Sequence, residues 1–438
     1  MAIATREGTL ETFVIEGGVP LSGTVRPAGN KNAALPTLAA CLLTADPVTL
    51  ENVPRIRDVE AMIALLVDIG VEVEWLDRNT VRVWAAEVTG TRLDADLCTR
   101  IRASILLAGP LLARFGAAEV PPPGGDVIGR RRVDTHLMAF SALGADVEAT
   151  REYRLRAPSG LIGADMHLDE ASVTGTENAI MAAVLARGTS VVRNAACEPH
   201  VQDLCRLLNA MGGRIEGVGS NVLTITGVEQ LSGCHHRLGA DHIEVASFIG
   251  LAAVTGGDLV IEDAAVEHLR SIRHGFSRLG VEIECDTELD RVRVAPGQEL
   301  RIVDDVHAQI PKIEDGPWPM FPADLTSIAV AVATQATGTV LVFEKMFENR
   351  LIFTDKLVSM GARIILCDPH RVVVTGPARL YGERMASPDI RAGMAMLIAS
   401  LCAEGESRIG NVGEIDRGYE RIDERLRALG ARIERVSG

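Results

Sequence analysis

A short phrase recurs six times along the 438-residue chain and constrains its fold more than any other feature. In each copy a glycine follows an apolar residue, and a strand-like run comes after the glycine. The copies read LVDIGVEVEW, FSALGADVEA, LNAMGGRIEG, FSRLGVEIEC, LVSMGARIIL and LRALGARIER, with glycines at 70, 144, 212, 280, 361 and 430. Each copy is typical of a helix that ends at a glycine and is followed by a β-strand. Such self-similarity predicts a chain of six structural repeats.

A second kind of segment lies between these phrases and is apolar on nearly every helical face. The segments read NAALPTLAACLL, RASILLAGPLLA, NAIMAAVLA, EVASFIGLAAV, DLTSIAVAVATQ and RAGMAMLIASL. A helix that is apolar all round is buried. Together the two patterns predict an α/β protein whose repeats are βαβαββ-like: strand, buried helix, strand, loop, amphipathic helix, glycine, strand.

The two ends of the chain complete this pattern. The last repeat stops one strand after Gly430, whereas the N-terminal LETFVIEGG reads as a strand that precedes the first buried helix. We therefore expect the two terminal strands to pair. The repeats then divide into two domains of three: residues 31–240, with a mobile loop at 121–136, and residues 241–438 together with 1–30. A ligand site is expected in a cleft between the two halves.

The composition excludes several classes of partner. The net charge of −15 and the aromatic content of 3% argue against binding of nucleic acid or of an anionic membrane. The N-terminus does not read as a signal peptide, and no apolar stretch reaches ~18 residues, so we expect a cytoplasmic protein. The eight cysteines form no C-x-x-C pair, and Cys234-His235-His236 favours a polar turn over a metal site.

Polar or charged residues recur where buried helices begin and where the following strands end. The helix starts carry Lys31, Asn32, Arg102, Thr176, Glu177, Asn178, Asp324 and Arg391, and the loops carry Asp126, Arg130, Arg131, Arg132, Glu348, Arg350, Asp416 and Arg417. Helix N-termini favour anions, and arginine binds carboxylates and phosphates with two parallel hydrogen bonds. Lys31 is one of only four lysines against forty arginines and suits a point contact to phosphate. These residues predict a transferase for a small substrate bearing phosphate and carboxylate groups.

Six segments make the prediction more specific. They are GNKNAALP (29–36), RASILLAGPL (102–111), GGDVIGRRRVDTH (124–136), FPAD (321–324), FENR (347–350) and IDRGYERI (415–422). In this order they resemble the UDP-N-acetylglucosamine 1-carboxyvinyltransferases of the enolpyruvyl transferase family. The resemblance implies two inside-out α/β barrels of three repeats each. It also implies transfer of the enolpyruvyl group of phosphoenolpyruvate to the 3-hydroxyl of UDP-N-acetylglucosamine, with release of phosphate, at the start of peptidoglycan precursor synthesis. No metal or organic cofactor is implied, and the partners implied are these two small molecules.

The resemblance also implies roles for individual residues. Phosphoenolpyruvate is expected to contact Lys31, Arg102, Arg131, Arg350, Arg391, Arg417 and Asp389, with Arg350 and Arg391 on its carboxylate. UDP-N-acetylglucosamine is expected to contact Asn32, Arg102, Arg131, Asp134, Ser172, Val173, Thr174, Asp324 and Phe347. The implied catalytic residues are Lys31, Asp126 and Asp324, with Asp324 at the sugar 3-hydroxyl as the base.

Four positions depart from the commonest pattern of the family. Asp126 stands where many members have cysteine, and Arg132 where many have proline. His242 replaces an arginine that often precedes the fourth buried helix, and Thr174 replaces a glycine. Arg132 adds a charge beside the expected nucleotide site, whereas the residues expected to bind phosphoenolpyruvate match the family.

Asp126 has to hold a proton if it is to protonate C3 of phosphoenolpyruvate. A free thiol, with a pKa of about 8.5, keeps its proton at neutral pH, whereas a free aspartate, at about 3.9, does not. Neighbouring arginines favour the ionised form, while burial and a bound phosphate favour the protonated form. We therefore expect Asp126 to act as a general acid only with substrate bound. Fosfomycin inactivates family members by alkylating the cysteine thiol, so we also expect this protein to resist the drug.

Four other functions remain compatible with the sequence. The enolpyruvyl group could pass to shikimate 3-phosphate or to another nucleotide acceptor on the same fold. A non-catalytic nucleotide-sugar sensor would accommodate Asp126. A ring-shaped sliding clamp would account for six repeats, but it needs a basic inner face and has no use for the residues above. The oligomeric state is left open, and a monomer is compatible with the sequence.

Overall fold

The computed structural model describes residues 11–126 and 128–437, in which short strands and helices alternate. The strands are β1 (Glu11–Glu16), β2 (Gly23–Val25), β3 (Val48–Glu51), β4 (Glu72–Trp75), β5 (Val81–Trp84), β6 (Ala117–Val120), β7 (Asp146–Ala149), β8 (Tyr153–Arg156), β9 (Asp165–His167), β10 (Thr189–Arg193), β11 (Arg214–Glu216), β12 (Val222–Thr226), β13 (His235–Arg237), β14 (Leu259–Glu262), β15 (Glu284–Asp286), β16 (Arg291–Val294), β17 (Lys312–Glu314), β18 (Gly338–Phe343), β19 (Arg363–Asp368), β20 (Arg371–Gly376), β21 (Arg384–Ala386), β22 (Glu406–Gly410) and β23 (Arg432–Ser437). The α-helices are α1 (Lys31–Ala40), α2 (Arg57–Asp68), α3 (Ala95–Cys98), α4 (Ala108–Phe115), α5 (Asp134–Ala142), α6 (Val173–Ala183), α7 (Pro199–Ala210), α8 (His242–Thr255), α9 (Arg270–Ser277), α10 (Thr326–Ala333), α11 (Thr354–Ser359), α12 (Ile390–Cys402), α13 (Val412–Ile415) and α14 (Ile422–Ala428).

The described residues form two compact units. Unit I contains residues 28–126 and 131–240, and unit II contains residues 11–27, 128–130 and 241–437. Each unit has three sheets. The strand orders are β13-β3-β5-β4, β11-β12-β10-β9 and β6-β8-β7 in unit I, and β21-β22-β1-β23, β15-β16-β14-β2 and β17-β18-β20-β19 in unit II.

The six sheets repeat one pairing pattern. Five of them contain one parallel pair, and their other pairs are antiparallel. In the sheet β6-β8-β7 the parallel partner is reduced to a single bridge between Arg92 and Glu119. The six repeats predicted from the sequence are therefore confirmed, three in each unit.

The helix-ending glycines have the backbone conformation that the repeated phrase predicts. All six have a positive φ, between 78° and 108°. Glycine reaches this left-handed region without the steric penalty of a Cβ atom, so it ends the helix and turns the chain into the next strand.

Three helices in each unit carry the core because their sequences offer no polar face. In unit I they are α1, α4 and α6, and in unit II they are α8, α10 and α12, all rich in buried alanine and leucine or isoleucine. Small residues allow close packing. A Cβ atom added to Gly250 of α8 would lie 3.0 Å from side-chain carbons of Ile328 and Val332 in α10. Within residues 11–126 and 128–437, no helix combines the length and apolar character needed to cross a membrane.

The N-terminal strand β1 lies between β22 and β23 and is antiparallel to both. Phe13 is paired with Ile409 on one side and with Arg435 on the other. The last repeat is thus completed by residues from the start of the chain.

Some buried segments begin differently from the sequence prediction. Residues Arg102–Leu107 form a 3₁₀ helix, and the regular helix α4 starts only at Ala108. Pro110 lies in the first turn of α4, where its missing N–H removes no helical hydrogen bond. The assignment of Thr176, Glu177 and Asn178 to a helix start is wrong, since α6 begins at Val173.

Candidate active site

Asp324 in unit II holds two buried arginines together. Its Oδ1 accepts a hydrogen bond from Arg350 Nη2 at 3.0 Å, and its Oδ2 accepts one from Arg391 Nε at 3.0 Å. Both arginines are 4% exposed, and Arg391 Nη1 has no hydrogen-bond partner among the described residues. Two guanidinium groups around one carboxylate leave a net positive charge, which suits a substrate carboxylate.

Electrostatics keep these arginines ionised despite their burial. Burial alone lowers the pKa of Arg350, but the charge of Asp324 outweighs it, and Glu344 adds to this effect when it is ionised, so the pKa lies above its usual value. Burial likewise opposes ionisation of Arg391, and Asp324 again reverses the shift, so its pKa is also raised. The Asp324 carboxylate therefore stabilises the two buried cations.

The local sequence determines where these residues lie. Asp324 lies in the 3₁₀ turn Ala323–Leu325 that precedes α10, and Arg350 lies in the turn that follows β18. Arg391 is the second residue of α12, which Asp389 caps. The Asp389 Oδ1 atom accepts hydrogen bonds from the backbone N of Arg391 at 2.8 Å and of Ala392 at 2.9 Å. Asp389 is thus close to the cluster because it caps the helix that carries Arg391.

Glu344, which the sequence analysis did not single out, lies next to Arg350. Its side chain is fully buried, and its Oε2 lies 3.6 Å from Arg350 Nε. Its Oε1 accepts a hydrogen bond from the backbone N of Phe347 at 3.1 Å. The ring centre of Phe347 lies 5.1 Å from the guanidinium carbon of Arg350, within cation–π range. Phe347, predicted to contact UDP-N-acetylglucosamine, thus packs on Arg350, predicted to contact phosphoenolpyruvate.

Arg417 belongs to a different set of ion pairs in unit II. Its Nη1 donates to Glu414 Oε2 at 2.7 Å. The adjacent Asp416 accepts hydrogen bonds from both terminal nitrogens of Arg435, at 2.7 and 2.8 Å. These contacts fix the segment that follows α13 and with it the position of Arg417.

Lys31 is the first residue of α1 in unit I and is nearly buried. Its Nζ lies 2.8 Å from Oδ2 of Asp58 in α2. Asn30 caps the helix by accepting a hydrogen bond from the backbone N of Asn32 at 2.8 Å. Lys31 therefore lies at a positively polarised helix end, which favours an anion. Sequence reasoning missed Asp58, because a charged residue in the first turn of an amphipathic helix reads as solvent-exposed.

Arg102 organises the backbone of the loop at 121–136. Its Nη2 donates to the carbonyl oxygens of Arg131 and Arg132, both at 2.8 Å. Burial lowers the pKa of Arg102 to about 10, and the charge of Arg131 acts in the same direction. Arg102 and Arg131, both predicted to bind phosphate, are thus brought together, and their mutual repulsion favours an anion between them.

The two glycines before Asp126 are required by close packing within unit I. A Cβ atom on Gly124 would lie 1.8 Å from the carbonyl oxygen of Thr99. Gly125 has a φ of +102°, and its Cβ would lie 2.8 Å from that of Arg102. The predicted hinge role of these glycines stays a prediction.

Residues 128–130 of the same loop are anchored within unit II. The backbone N of Arg130 donates to Glu348 Oε2 at 3.1 Å, and the backbone N of Asn349 donates to the Ile128 carbonyl at 3.0 Å. The FENR segment that carries Arg350 therefore also holds part of the loop.

Arg132, one of the departures from the family pattern, lies between two carboxylates. Its Nε donates to Asp134 Oδ2 at 2.9 Å and its Nη2 to Asp169 Oδ2 at 3.0 Å. The extra positive charge is therefore offset locally. Asp134, predicted to contact the uracil, is held by this pairing.

Thr174, a second departure, contributes to a buried polar network at the start of α6. Its Oγ1 lies 3.1 Å from His136 Nε2, and His136 Nδ1 lies 2.8 Å from Asn178 Nδ2. Burial lowers the pKa of His136 to about 3, with Arg102 acting in the same direction, so the imidazole is neutral. Ser172 caps α6 by accepting a hydrogen bond from the backbone N of Gly175 at 3.2 Å. The Ser172-Val173-Thr174 stretch thus lies at a helix N-terminus, which favours anions.

His242, a third departure from the family pattern, is the first residue of α8. Its ring packs edge-on against Trp318 at 5.8 Å and His268 at 6.3 Å. Burial, with the charge of His268 acting in the same direction, lowers the pKa of His242 to about 3. A neutral aromatic group therefore stands where the family often has a cation.

The histidines after Cys234 each lie within hydrogen-bonding distance of an acidic residue. His235 Nε2 lies 2.9 Å from Glu51 Oε1, and His236 Nε2 lies 3.0 Å from Asp203 Oδ1. Across residues 11–126 and 128–437, no group of three or more histidine, cysteine, aspartate or glutamate residues could hold a metal ion.

The sequence is similar to known transferases along nearly its whole length. The family model described as EPSP synthase (3-phosphoshikimate 1-carboxyvinyltransferase) matches residues 15–426. The chain is 59% identical to the UDP-N-acetylglucosamine 1-carboxyvinyltransferase of Bradyrhizobium diazoefficiens, over 97% of this chain and 98% of that protein. It is 53% identical to the protein of the same name from Treponema denticola, over 97% of this chain and 99% of that protein.

Solved structures share the fold. The enolpyruvyl transferase NikO from Streptomyces tendae superposes with a TM-score of 0.87 at 24% identity, over 98% of this chain and 100% of that one. EPSP synthase from Acinetobacter baumannii gives a TM-score of 0.76 at 16% identity with the same coverage. The predicted enolpyruvyl transferase fold is confirmed.

Proposed function

This chain belongs to the enolpyruvyl transferase family, among the UDP-N-acetylglucosamine 1-carboxyvinyltransferases, and we propose that it transfers the enolpyruvyl group of phosphoenolpyruvate to the 3-hydroxyl of UDP-N-acetylglucosamine. The observation that carries the proposal is the pair of buried arginines on Asp324 in a chain 59% identical to an enzyme of that name. The arginines provide a carboxylate site, and Asp324 provides a base beside it.

The proposed reaction balances without a cofactor. The 3-hydroxyl oxygen attacks C2 of phosphoenolpyruvate, Asp324 takes the hydroxyl proton, and Asp126 donates a proton to C3. The resulting tetrahedral intermediate then loses phosphate from C2 and a proton from C3. The products are an enolpyruvyl ether and inorganic phosphate.

We assign the binding residues by the charge that each group presents. Arg350 and Arg391 bind the substrate carboxylate, and the capping residue Asp389 keeps Arg391 in place. The phosphate is bound by Lys31, Arg102, Arg131 and Arg417. The nucleotide sugar is bound by Asn32, Asp134, Ser172, Val173, Thr174 and Phe347, with Arg102, Arg131 and Asp324 also in contact. The helix N-termini at Lys31 and Ser172 support the anion assignments.

We further propose that Asp126 makes the enzyme insensitive to fosfomycin. The drug reacts with a thiol in other family members, and a carboxylate is a much weaker nucleophile towards it. Asp126 retains the proton-donor role only while bound substrate favours its neutral form.

Release of inorganic phosphate from phosphoenolpyruvate tests the proposed function. The purified protein is assayed with UDP-N-acetylglucosamine, with shikimate 3-phosphate, with a second UDP-sugar, and without acceptor. Release that depends on UDP-N-acetylglucosamine is expected. Release that depends on shikimate 3-phosphate, the substrate named in the matching family description, would reassign the acceptor. The absence of release with every acceptor would favour a binding protein.

A further inference from the structure

Asp315 and Glu344 form a buried pair of carboxyl groups in unit II. Asp315 is 1% exposed and Glu344 is fully buried. Asp315 acts on the Glu344 carboxyl group and raises its pKa. Oδ1 of Asp315 accepts from the backbone N of Lys345 at 2.5 Å, whereas Asp315 Oδ2 and Glu344 Oε2 have no donor among the described residues. Two buried carboxyl groups close to each other cannot both ionise without a large penalty, so the neutral form of Glu344 is favoured.

The distance between Glu344 and Arg350 agrees with a neutral Glu344 carboxyl group. Its Oε2 lies 3.6 Å from Arg350 Nε, and that Nε makes no hydrogen bond to the described residues. A charge-assisted N–H···O bond is shorter, at about 2.7–2.9 Å. The Arg350–Asp324 contact, at 3.0 Å, is much closer to that range. Arg350 therefore directs its charge towards Asp324 and the proposed carboxylate site.

The surroundings of Glu344 include groups from several elements. His370, which follows β19, contacts the Glu344 backbone: its carbonyl accepts from the Glu344 N at 2.8 Å, and its Nδ1 lies 2.7 Å from the Glu344 carbonyl oxygen. Thr326 of α10 faces the Glu344 carboxyl group. Lys345 Nζ points to Glu314, 3.5 Å away. The charged groups that act on Arg350 besides Glu344 are Asp324, Asp389 and Arg391.

We propose that Glu344 is a positioning residue for the carboxylate of phosphoenolpyruvate: in its neutral form it leaves the charge of Arg350 to the substrate, and in its ionised form it competes for that charge. The inference rests on the proposed function, in which Arg350 binds that carboxylate. Burial raises the pKa of Glu344 to about 8, and Asp315 contributes to the shift. The competing anion therefore forms above this pH, next to a guanidinium group that it partly neutralises.

The pH dependence of KM for phosphoenolpyruvate tests the inference. We expect KM of the natural enzyme to rise about tenfold between pH 7 and pH 9.5, because one pKa unit of coupling corresponds to a factor of ten in affinity. Any change in the turnover number kcat over the same range should be the same in Glu344→Gln. In Glu344→Gln, which cannot ionise, the KM at pH 9.5 should stay close to its value at pH 7.

Two further variants separate ionisation from structural damage. Asp315→Asn removes the acid that opposes ionisation of Glu344, so the rise in KM should begin at a lower pH than in the natural enzyme. Glu314→Gln is the matched control, because it removes a carboxylate that pairs with Lys312 at the end of β17 and does not contact Arg350. Its KM profile should match that of the natural enzyme.

Each outcome decides the question. A KM that stays flat in the natural enzyme, or that rises equally in Glu344→Gln, would overturn the inference. If Glu344→Gln does not fold, an Asp315→Asn profile without the shift to lower pH overturns it instead. Failure to release phosphate at pH 7 with any acceptor contradicts the proposed function alone. Calorimetric binding of phosphoenolpyruvate at pH 7 and pH 9.5 then tests Glu344 independently of turnover.

Discussion

Lys31 Nζ lies 2.8 Å from Asp58 Oδ2, and both side chains are about nine-tenths buried. A buried ion pair of this kind gives little net stability, but removal of one partner leaves an unpaired buried charge. Lys31 therefore serves two purposes in the proposed enzyme: it neutralises Asp58 in the folded state and offers a cation to the substrate phosphate.

Single and double substitutions of this pair distinguish the two purposes. Lys31→Met should lower the free energy of unfolding by about 3–5 kcal/mol, because Asp58 loses its buried ion pair with Lys31. Lys31→Met with Asp58→Asn should recover most of that loss in urea unfolding. Phosphate release should fall by at least about 100-fold in both proteins, as on removal of one electrostatic contact to a transition state. An active double variant would contradict the role of Lys31 in binding phosphate.

The repeats could be predicted from the sequence, but this pair could not, for a physical reason. A helix-ending glycine and an apolar helix are local signals that depend on a few neighbouring residues. Burial of Asp58 depends instead on how α1 and α2 pack, which the sequence RDVEAM does not reveal. Glu344 is similar: its position at the end of β18 looks like an ordinary exposed strand end, yet it is fully buried beside Arg350.

Asp324→Asn tests the proposed base. The amide keeps the size of the carboxylate and can still accept a hydrogen bond from Arg350 or Arg391. It no longer offsets their buried charges, so stability should fall, and activity is compared at a temperature and urea concentration where both proteins are folded. It cannot take a proton, and we expect kcat to fall by about 100-fold to 10,000-fold. KM for phosphoenolpyruvate should not rise, since the variant loses an anion that competes for the same arginines. A kcat within a few-fold of the natural value would assign the base to another group.

The matched control for this variant is Asp389→Asn. Asp389 accepts hydrogen bonds from two backbone N–H groups of α12, a role that asparagine can also fill. We therefore expect a small effect on stability and a much smaller loss of kcat than in Asp324→Asn. Equal losses in the two variants would indicate that any loss of negative charge near Arg391 disables the site.

Fosfomycin tests the role of Asp126. The natural protein, incubated with the drug, should keep its activity over time. Asp126→Cys should gain time-dependent inactivation, because it introduces the thiol that the drug alkylates in other family members. Time-dependent loss of activity in the natural protein that is absent in Asp126→Ala would contradict the proposal.

The proposed role of Asp126 also predicts a fall in kcat at high pH. If Asp126 donates a proton with substrate bound, kcat should fall at high pH as the donor is lost. Asp126→Asn should remove this basic limb along with most of the activity. An unchanged basic limb in the variant would exclude Asp126 as the proton donor.

Some residues of the candidate site could be predicted from the local sequence, whereas others depend on contacts between distant parts of the chain. Lys31 and Arg391 could be predicted because each lies at the start of an apolar helix, a position that the sequence marks. Arg102 begins a 3₁₀ helix, and its side chain binds the carbonyls of Arg131 and Arg132, about thirty residues further along the chain. No local signal predicts a guanidinium group that binds its own loop.

His136 predicts a loss of stability in acid. Burial lowers its pKa to about 3 in the folded protein, whereas an unfolded histidine titrates near 6.5. Between these values the unfolded chain binds a proton that the folded protein does not, so stability is complete above about pH 6.5 and falls as the pH falls. The contribution of this one residue to the slope is about 1.4 kcal/mol per pH unit.

Urea unfolding at pH 7, 6 and 5 measures this slope. His136→Gln removes the titrating group and should make the decline between pH 6 and pH 5 shallower by about 1.4 kcal/mol per pH unit, even if the loss of its contacts with Thr174 and Asn178 lowers stability at every pH. His235→Gln is the control, because that side chain is 62% exposed and lies outside the buried network. It should leave the slope unchanged. An equal dependence of the free energy of unfolding on pH in the natural protein and in His136→Gln would mean that the His136 imidazole is protonated in the folded state. The neutral hydrogen-bonded network that we assign to the start of α6 would then be wrong.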